Sequence, residues 1–233
     1  VRRMDLIQGL RTTGAVRDFL PDPVPDDVVY RLLDTARFAP NGGNRQAWHV
    51  VVVRDPEVKR GIRDLYLPGW FEYLPQVEAG LTPFAAVTDR EAEARAIARA
   101  PEIEARSADA PPGFAERFHE SPVLLVLLAN LRNLATVDRD LGRYTLVGGA
   151  SIYPFAWNIL LAAHEEGLGG VLTTMPILRE PGLKALLDVP DHVAVAGVLA
   201  LGYPVKRATK LTRKPVESFA TVDRYDGPEF TGQ

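Results

Sequence analysis

Three runs of apolar residues stand out along the chain and predict buried strands. They are WHVVVV at 48–53, PVLLVLLAN at 122–130 and HVAVAGVLALGYP at 192–204. Each run is short and rich in valine, leucine or alanine, which is typical of a strand with both faces covered. VLTTMPI at 171–177 is shorter and predicts either a further strand or a loop.

Helical periodicity lies between these runs. At 22–40 two acidic residues precede an apolar stripe that Pro40 ends, which predicts an amphipathic helix with the buried positions Val28, Val29, Leu32, Leu33 and Ala36. Patterns at 56–66 and 179–190 predict two further helices. Because helices and strands do not alternate strictly, the pattern favours an α+β fold.

The segment 148–170 predicts a helix of a different kind. Between Ile152 and Ala163 it is apolar nearly all round, with Asn158 as the clear polar exception. Such a helix has no face suited to water, so we expect it to be buried on several faces.

The region from about 67 to 120 has a different character. Its first part combines aromatic residues with prolines and glycines and shows no period, whereas 89–107 is charged, alanine-rich and helical in character. DAPPGF at 109–114 then breaks the pattern. We interpret this region as a mobile excursion or lid within a single domain that spans 1–233.

Composition narrows the class of protein. The 233 residues, 46% of them apolar, suit one folded domain, and a net charge of -3 offers no basic excess for nucleic acid or a membrane surface. The absence of cysteine excludes disulfides and thiolate chemistry. No apolar run reaches the roughly 18 residues of a membrane helix, and the N-terminus is unlike a signal peptide. We therefore expect a cytoplasmic protein.

Two polar clusters near the N-terminus could bind a ligand. RTTGAVRDF at 11–19 offers guanidinium and hydroxyl groups that suit a phosphate, from Arg11, Thr12, Thr13 and Arg17. The alternative interpretation of residues 11–19 is the solvated, basic end of an ordinary helix. PNGGNRQAW at 40–48 offers glycines that admit a flat ligand and amides that both donate and accept. The alternative interpretation of residues 40–48 is a turn that is capped by an asparagine.

A third cluster combines Thr173 and Thr174, just after a glycine-rich helix end, with Arg213 and Lys214 near the C-terminus. The alternative interpretation is that the threonines form a turn and that the two basic residues belong to a solvated tail. Catalytic side chains are scarce, because the four histidines show no metal-binding spacing and the G-x-S-x-G, P-loop and G-x-G-x-x-G motifs are absent. We therefore expect no metal site, and we expect a cofactor to carry any chemistry.

In their order and spacing these clusters together resemble the FMN-dependent nitroreductase family. The resemblance covers 11–53, 148–177, 193–204 and RKP at 213–215, and leaves roughly 60–140 unmatched. It implies a nitroreductase-like α+β fold, with a central, mostly antiparallel sheet flanked by helices. It also implies an intertwined homodimer with FMN bound at the subunit interface.

The resemblance also assigns residues to the cofactor. Arg11, Thr13, Arg17 and Arg213 would meet the FMN phosphate, Thr173 and Thr174 would lie by the ring, and Asn44 would bind its polar edge. The stretch of Pro40, Asn41, Gly42 and Asn44 would reach the flavin bound mainly by the other subunit. Family members usually carry two adjacent arginines and a serine in the first motif, whereas this chain has Gly14 there. Which of Arg11, Thr12 and Thr13 contacts phosphate therefore stays open.

The activity implied is ping-pong hydride transfer from NADH or NADPH through flavin N5 to a nitroaromatic, quinone or similar electrophilic small molecule. The alternatives are a dehalogenase- or dehydrogenase-like member that uses no nicotinamide, and a non-catalytic protein that binds or stores FMN. The middle region would shape the acceptor pocket with Trp70, Phe71, Tyr73 and Phe84. These aromatic residues could equally form a satellite hydrophobic cluster under a loop.

Overall fold

A four-stranded antiparallel sheet is the centre of the computed structural model, which describes residues 4–232. The strands are β1 (Trp48–Val53), β2 (Val123–Asn130), β3 (Gly169–Thr173) and β4 (Val193–Gly202), in the order β1-β2-β4-β3 across the sheet. The three predicted strands are confirmed. The segment 171–177 divides between the end of β3 and a 3-10 turn at Met175–Arg179, so both alternatives hold in part.

Seven α-helices surround the sheet within the described residues. They are α1 (Leu6–Thr12), α2 (Asp26–Ala36), α3 (Pro56–Glu78), α4 (Arg90–Ile97), α5 (Ala100–Ala108), α6 (Tyr153–Glu165) and α7 (Glu180–Leu186). Helices α2 and α6 pack on one face of the sheet, and α3 and α7 pack on the other. Strand β2 is apolar throughout because its alternate residues enter these two cores. The predicted α+β fold is confirmed.

Helix α6 buries only one face within the chain. Phe155, Ala156 and Ile159 enter the core, whereas Tyr153 remains 44% and Trp157 37% exposed. A single chain therefore does not provide the burial on several faces that the sequence predicts. Two large aromatic residues of one helix therefore stay partly exposed in the described residues.

Helix α3 is longer than the predicted helix at 56–66 and takes in residues that we assigned to the excursion. The carboxylate of Asp55 caps its N-terminus by accepting from the backbone N–H of Glu57 at 2.7 Å. The helix continues through Pro68 and Pro75 to Glu78. Its second half packs on the turn at Met175–Arg179, where the ion pair of Arg179 with Glu72 measures 2.5 Å. Tertiary packing thus overrides two residues that oppose a helix.

The segment 89–107 is helical as predicted, with α4 and α5 separated at residues 98–99. Both Arg99 and Arg106 pair with Glu78 at the end of α3, so α5 is held against α3. Whether the region acts as a lid stays a prediction.

A buried carboxylate organises the segment between β2 and α6. Asp138 accepts from the backbone N–H of Leu146 at 2.9 Å and from the guanidinium of Arg143 at 2.8 Å. The N–H of Leu146, together with Arg143 and Val147, lowers the pKa of Asp138 below its ordinary value. The charged carboxylate therefore fixes this segment next to the start of α6.

Candidate functional site

The first predicted cluster runs along the β3–β4 edge of the sheet. Ala15 pairs with Gly170 in parallel fashion, and the N–H of Val16 donates to the carbonyl of Gly170 at 2.9 Å. This close approach requires glycine in β3, because a Cβ on Gly169 would lie 2.6 Å from the side chain of Val16. Arg17 is thereby held at the surface beside the third cluster.

The third cluster begins at the last residue of β3. The hydroxyl of Thr173 accepts from the N–H of Met175 at 3.4 Å, and Thr174 is exposed next to it. The following turn lies against α3, since a Cβ on Gly69 would be 2.8 Å from Leu178. The end of β3 is therefore a ledge bordered by α3 on one side and open to solvent at Thr174.

Tyr66 on α3 completes this ledge, although we did not assign it to the site from the sequence. Its ring stacks on Phe118 with centroids 4.8 Å apart and meets Phe114 edge-on. Burial raises the pKa of its hydroxyl, while the neighbouring Thr173 side chain and the positive charge of Arg17 oppose that rise. The structure thus brings members of the first and third clusters together around Tyr66.

The hydroxyl groups predicted for the phosphate point elsewhere. Thr12 donates to the carbonyl of Gln8 at 2.7 Å and Thr13 donates to the carbonyl of Gly9 at 2.8 Å. Both protons therefore satisfy the last turn of α1, and these hydroxyls are left as acceptors. Arg11 lies exposed in that same turn.

Gly14 explains how the C-terminal segment reaches the first cluster. A Cβ on Gly14 would lie 2.9 Å from Leu211 and 3.7 Å from Ala208, so this segment packs directly on the glycine. Arg213 follows two residues later and is exposed. Within residues 4–232 no carboxylate forms an ion pair with Arg11, Arg17 or Arg213, which leaves three guanidinium groups available to an anion.

The second cluster is a compact loop held by Asn41. The side chain of Asn41 donates to the carbonyl of Ala39 at 3.2 Å and accepts from the N–H of Gln46 at 2.8 Å. Its amide is therefore committed to the turn, as the structural alternative for this cluster predicts. Pro40, Gly42 and Asn44 remain exposed around it, and Asn44 has a φ of 52°.

The second and third clusters lie on opposite edges of the sheet. The loop at 40–46 leads into edge strand β1, whereas Thr173 ends β3 on the other edge. Three strand spacings, about 14 Å, separate them laterally. The two clusters therefore do not form one pocket within a single chain.

The four predicted pocket aromatics differ in availability. Trp70 and Tyr73 stack on each other with centroids 5.3 Å apart and are partly exposed on α3. Phe71 is buried, which matches the alternative of a hydrophobic cluster better than a pocket wall. Phe84 lies in a turn where its N–H donates to the side chain of Gln76 at 3.1 Å. The role of all four in an acceptor pocket stays a prediction.

The described residues contain neither a metal-binding group nor a membrane-spanning helix. No group of three His, Asp or Glu side chains there is arranged to hold a metal ion. No helix in the same part of the chain combines the length and apolarity needed to cross a bilayer.

Comparison with known proteins identifies the class to which this sheet and its clusters belong. The sequence model described as "Nitroreductase family" matches residues 10–203, and the chain therefore belongs to the nitroreductase family. The match includes positions 60–140, which the motif comparison left out. It ends before Arg213.

Individual relatives span several activities. The NADH dehydrogenase of Thermus thermophilus is 30% identical, over 87% of this chain and 88% of that protein. Iodotyrosine deiodinase 1 of Homo sapiens is 27% identical, over 93% of this chain and 68% of that protein. The NADPH:FMN oxidoreductase from Vibrio harveyi, solved with NAD+, has a TM-score of 0.63 at 18% identity, over 94% and 77% of the two chains. The last comparison supports the fold alone.

Proposed function

We propose that the protein is an FMN-dependent oxidoreductase that uses NADH or NADPH to reduce a nitroaromatic, quinone or similar electrophile. The observation that carries this proposal is the ledge at the end of β3, where Thr173 and exposed Thr174 lie beside α3 in a nitroreductase-family chain, with the exposed Arg17 on the segment that pairs with β3. Donors grouped in this way suit a planar ring that becomes negatively charged on reduction.

The donor set fits FMN at both of its ends. Thr173 and Thr174 would hold the ring and Arg17 would stabilise negative charge at its edge, while Arg11 and Arg213 would bind the phosphate as bidentate donors. Thr12 and Thr13, whose protons go to helix carbonyls, would contribute less than the resemblance implies. When bound, FMN would supply the hydride chemistry, and the chain would bind, orient and shield it.

A second copy of the chain completes the proposed site. The exposed aromatic face of α6 would be covered in the homodimer, and the loop at 40–46 would reach the flavin held by the other chain. This arrangement accounts for both the unburied Trp157 and the separation of the two clusters across the sheet.

An anaerobic visible spectrum tests the proposal. Protein loaded with FMN should lose its flavin absorbance when NADPH or NADH is added, and recover it when a nitroaromatic or quinone follows. Absorbance that survives both donors would instead favour a member without nicotinamide or an FMN storage protein. Failure of the protein to bind FMN would contradict the proposal outright.

Dehalogenation is a second candidate, favoured by the similarity to iodotyrosine deiodinase 1 over 93% of the chain. Chemically reduced, FMN-loaded protein mixed with an iodinated tyrosine would release iodide if this candidate is correct. Reoxidation by a nitroaromatic but not by the iodinated tyrosine would reject it.

A further inference from the structure

The segment 206–214, which we call the strap, leads from the sheet to Arg213. It begins a few residues after the end of β4 and lies beyond residues 10–203, which match the family. Within residues 4–232 the strap forms no backbone–backbone hydrogen bond. Its position must therefore come from the contacts of its side chains.

One side chain, that of Arg207, ties the strap to the end of α6. Its guanidinium donates to the carbonyls of Gly167 at 2.8 Å, Leu168 at 3.1 Å and His164 at 3.4 Å. These carbonyls belong to the last turn of α6 and the residues that follow it, where a helix leaves carbonyls without partners and its dipole is negative. A cation that donates several hydrogen bonds suits this place.

The joint between the strap and the rest of the chain is closed. Leu211 and Ala208 lie 2.9 Å and 3.7 Å from the place where a Cβ on Gly14 would stand, so they pack directly on the glycine. The cavity left between Gly14, Arg207 and the end of α6 measures about 10 Å³, which is roughly the least that holds one water molecule. Arg207 is therefore engaged with the protein itself and is not placed to bind an anion.

Arg213 has no comparable tether of its own. In the part of the chain that the structure describes, its guanidinium donates only to the carbonyl of the adjacent Thr212, at 2.7 Å. The last fixed point before it is Leu211 on Gly14, and a chain of two residues keeps the backbone of Arg213 within about 7 Å of that contact. Since Gly14 closely follows Arg11 in the sequence, the strap directs Arg213 to the side of the molecule where Arg11 lies.

We propose that Arg207 is a positioning residue, which binds the end of α6 and so holds the strap where Arg213 can meet the FMN phosphate. The proposal rests on the proposed function, because it requires FMN with its phosphate at this end of the site. It gives cofactor binding a determinant outside the residues that match the family.

The decisive comparison uses FMN and riboflavin, which share the ring and differ in the phosphate. The variants are Arg207→Ala, Arg207→Lys, Arg213→Ala, and a double variant that combines the two alanine substitutions. Lys206→Ala is the matched control, since it removes an equal charge from the exposed neighbour of Arg207. Each variant would be measured for both dissociation constants by flavin fluorescence, and for its melting temperature without flavin.

We expect Arg213→Ala to raise the FMN dissociation constant about tenfold, as for the loss of one hydrogen bond to a charged group. Arg207→Ala should raise it about fivefold, because a strap without its tether has to be ordered when FMN binds. The double variant should bind FMN no more weakly than Arg213→Ala alone, since Arg207 acts through Arg213.

The remaining variants separate position from charge. Arg207→Lys should bind FMN more weakly than wild type, because a lysine keeps the charge but lacks the planar fork that reaches several carbonyls. Lys206→Ala should bind FMN as wild type does. The riboflavin dissociation constant should keep its wild-type value in all these variants, because riboflavin has no phosphate for Arg213 to meet.

Four results would overturn the inference. They are a wild-type FMN dissociation constant in Arg207→Ala, further weakening when Arg207→Ala is added to Arg213→Ala, equal weakening by Lys206→Ala, and equal weakening of FMN and riboflavin. The last result, together with a lower melting temperature, would make Arg207 a purely structural cap of α6. Failure of the proposed function is distinct, because wild-type protein would then bind neither flavin.

Discussion

At the scale of single residues, Gly14 departs from the family pattern and is packed against the C-terminal segment. Family members usually carry an arginine-rich motif at this place. This chain has a glycine there, and Leu211 of the C-terminal segment packs directly on it. The contact brings the region of Arg213 towards Arg11.

Replacing Arg17 tests the charge of the proposed site directly. Arg17→Ala should raise the FMN dissociation constant at least about tenfold, because a hydrogen bond to a charged group contributes more than a neutral one. Fluorescence titration with FMN measures the change. Arg117→Ala is the control, since Arg117 lines the same cavity as Arg17 but is paired with Asp18. Equal losses in both variants would contradict a specific role for Arg17.

The residues assigned to the cofactor stay predictions, because residue types indicate a chemistry but not its partners. The sequence favours Arg17 for a phosphate because a guanidinium suits that anion, and the family resemblance adds Thr173 beside the ring. Tyr66 is not among the predicted site residues, because its spacing from Ile62 indicates a core position, which is where the structure places it. The hydrogen bonds that Asn41 makes within its own loop agree with the asparagine-capped turn, which is the alternative interpretation of residues 40–48.

At the scale of elements, β3 depends on the absence of a side chain. Gly170→Ala would place a methyl group 2.3 Å from Leu201 and 2.8 Å from the carbonyl of Ala200. Overpacking of this kind should lower the free energy of unfolding by about 1–3 kcal/mol, measured by chemical denaturation. In Gly142→Ala the new methyl group has no neighbour within 4 Å, so its unfolding free energy should change by less than about 0.5 kcal/mol. Similar losses in both would contradict the steric explanation.

The stabilisation that Asp138 gives to the segment between β2 and α6 should depend on pH. The folded-state pKa of Asp138 lies below its unfolded value, so its stabilisation is complete above the ordinary range for aspartate. That stabilisation is lost as the pH falls through the folded-state pKa. Asp138→Asn should therefore lower the melting temperature at pH 7, and the difference from wild type should shrink on acidification.

Thermal melts between pH 7 and pH 3 check this expectation. Asp140→Asn is the matched control, because Asp140 lies two residues away and its side chain is exposed beside Arg139. A difference between wild type and Asp138→Asn that stays constant at all pH values would show that the carboxylate's charge is not responsible.

Elements were predictable where local pattern and packing agree. The valine-rich run of β1 and the stripe of α2 both follow the period of the structure they form. The second half of α3 could not be predicted, because Pro68 and Pro75 locally oppose a helix and the contacts that favour one, such as those of Gly69 with Met175 and Leu178, are long-range. The same limit applies to α6, whose outer residues Tyr153 and Trp157 stay partly exposed within residues 4–232.

At the scale of the whole molecule, the exposed face of α6 should decide assembly. Light scattering should give the wild type twice the mass of one chain, whereas Trp157→Glu should shift it towards the monomer, because a carboxylate would be buried without a partner. Binding of FMN should weaken in parallel, since the proposed site draws on both chains. Val87→Glu, at an exposed position of the excursion, should leave the dimer intact. A monomeric wild type that binds FMN normally would contradict the shared site.

The position of the two clusters on opposite edges of the sheet has a genetic consequence. A chain defective through Arg17→Ala and a chain defective through Asn44→Ala carry lesions in different halves of the composite site. When the two alleles are expressed in one cell, each mixed dimer would contain one site with both lesions and one with neither. The two inactive alleles should therefore complement each other, and complementation would be lost if both substitutions were placed in the same gene.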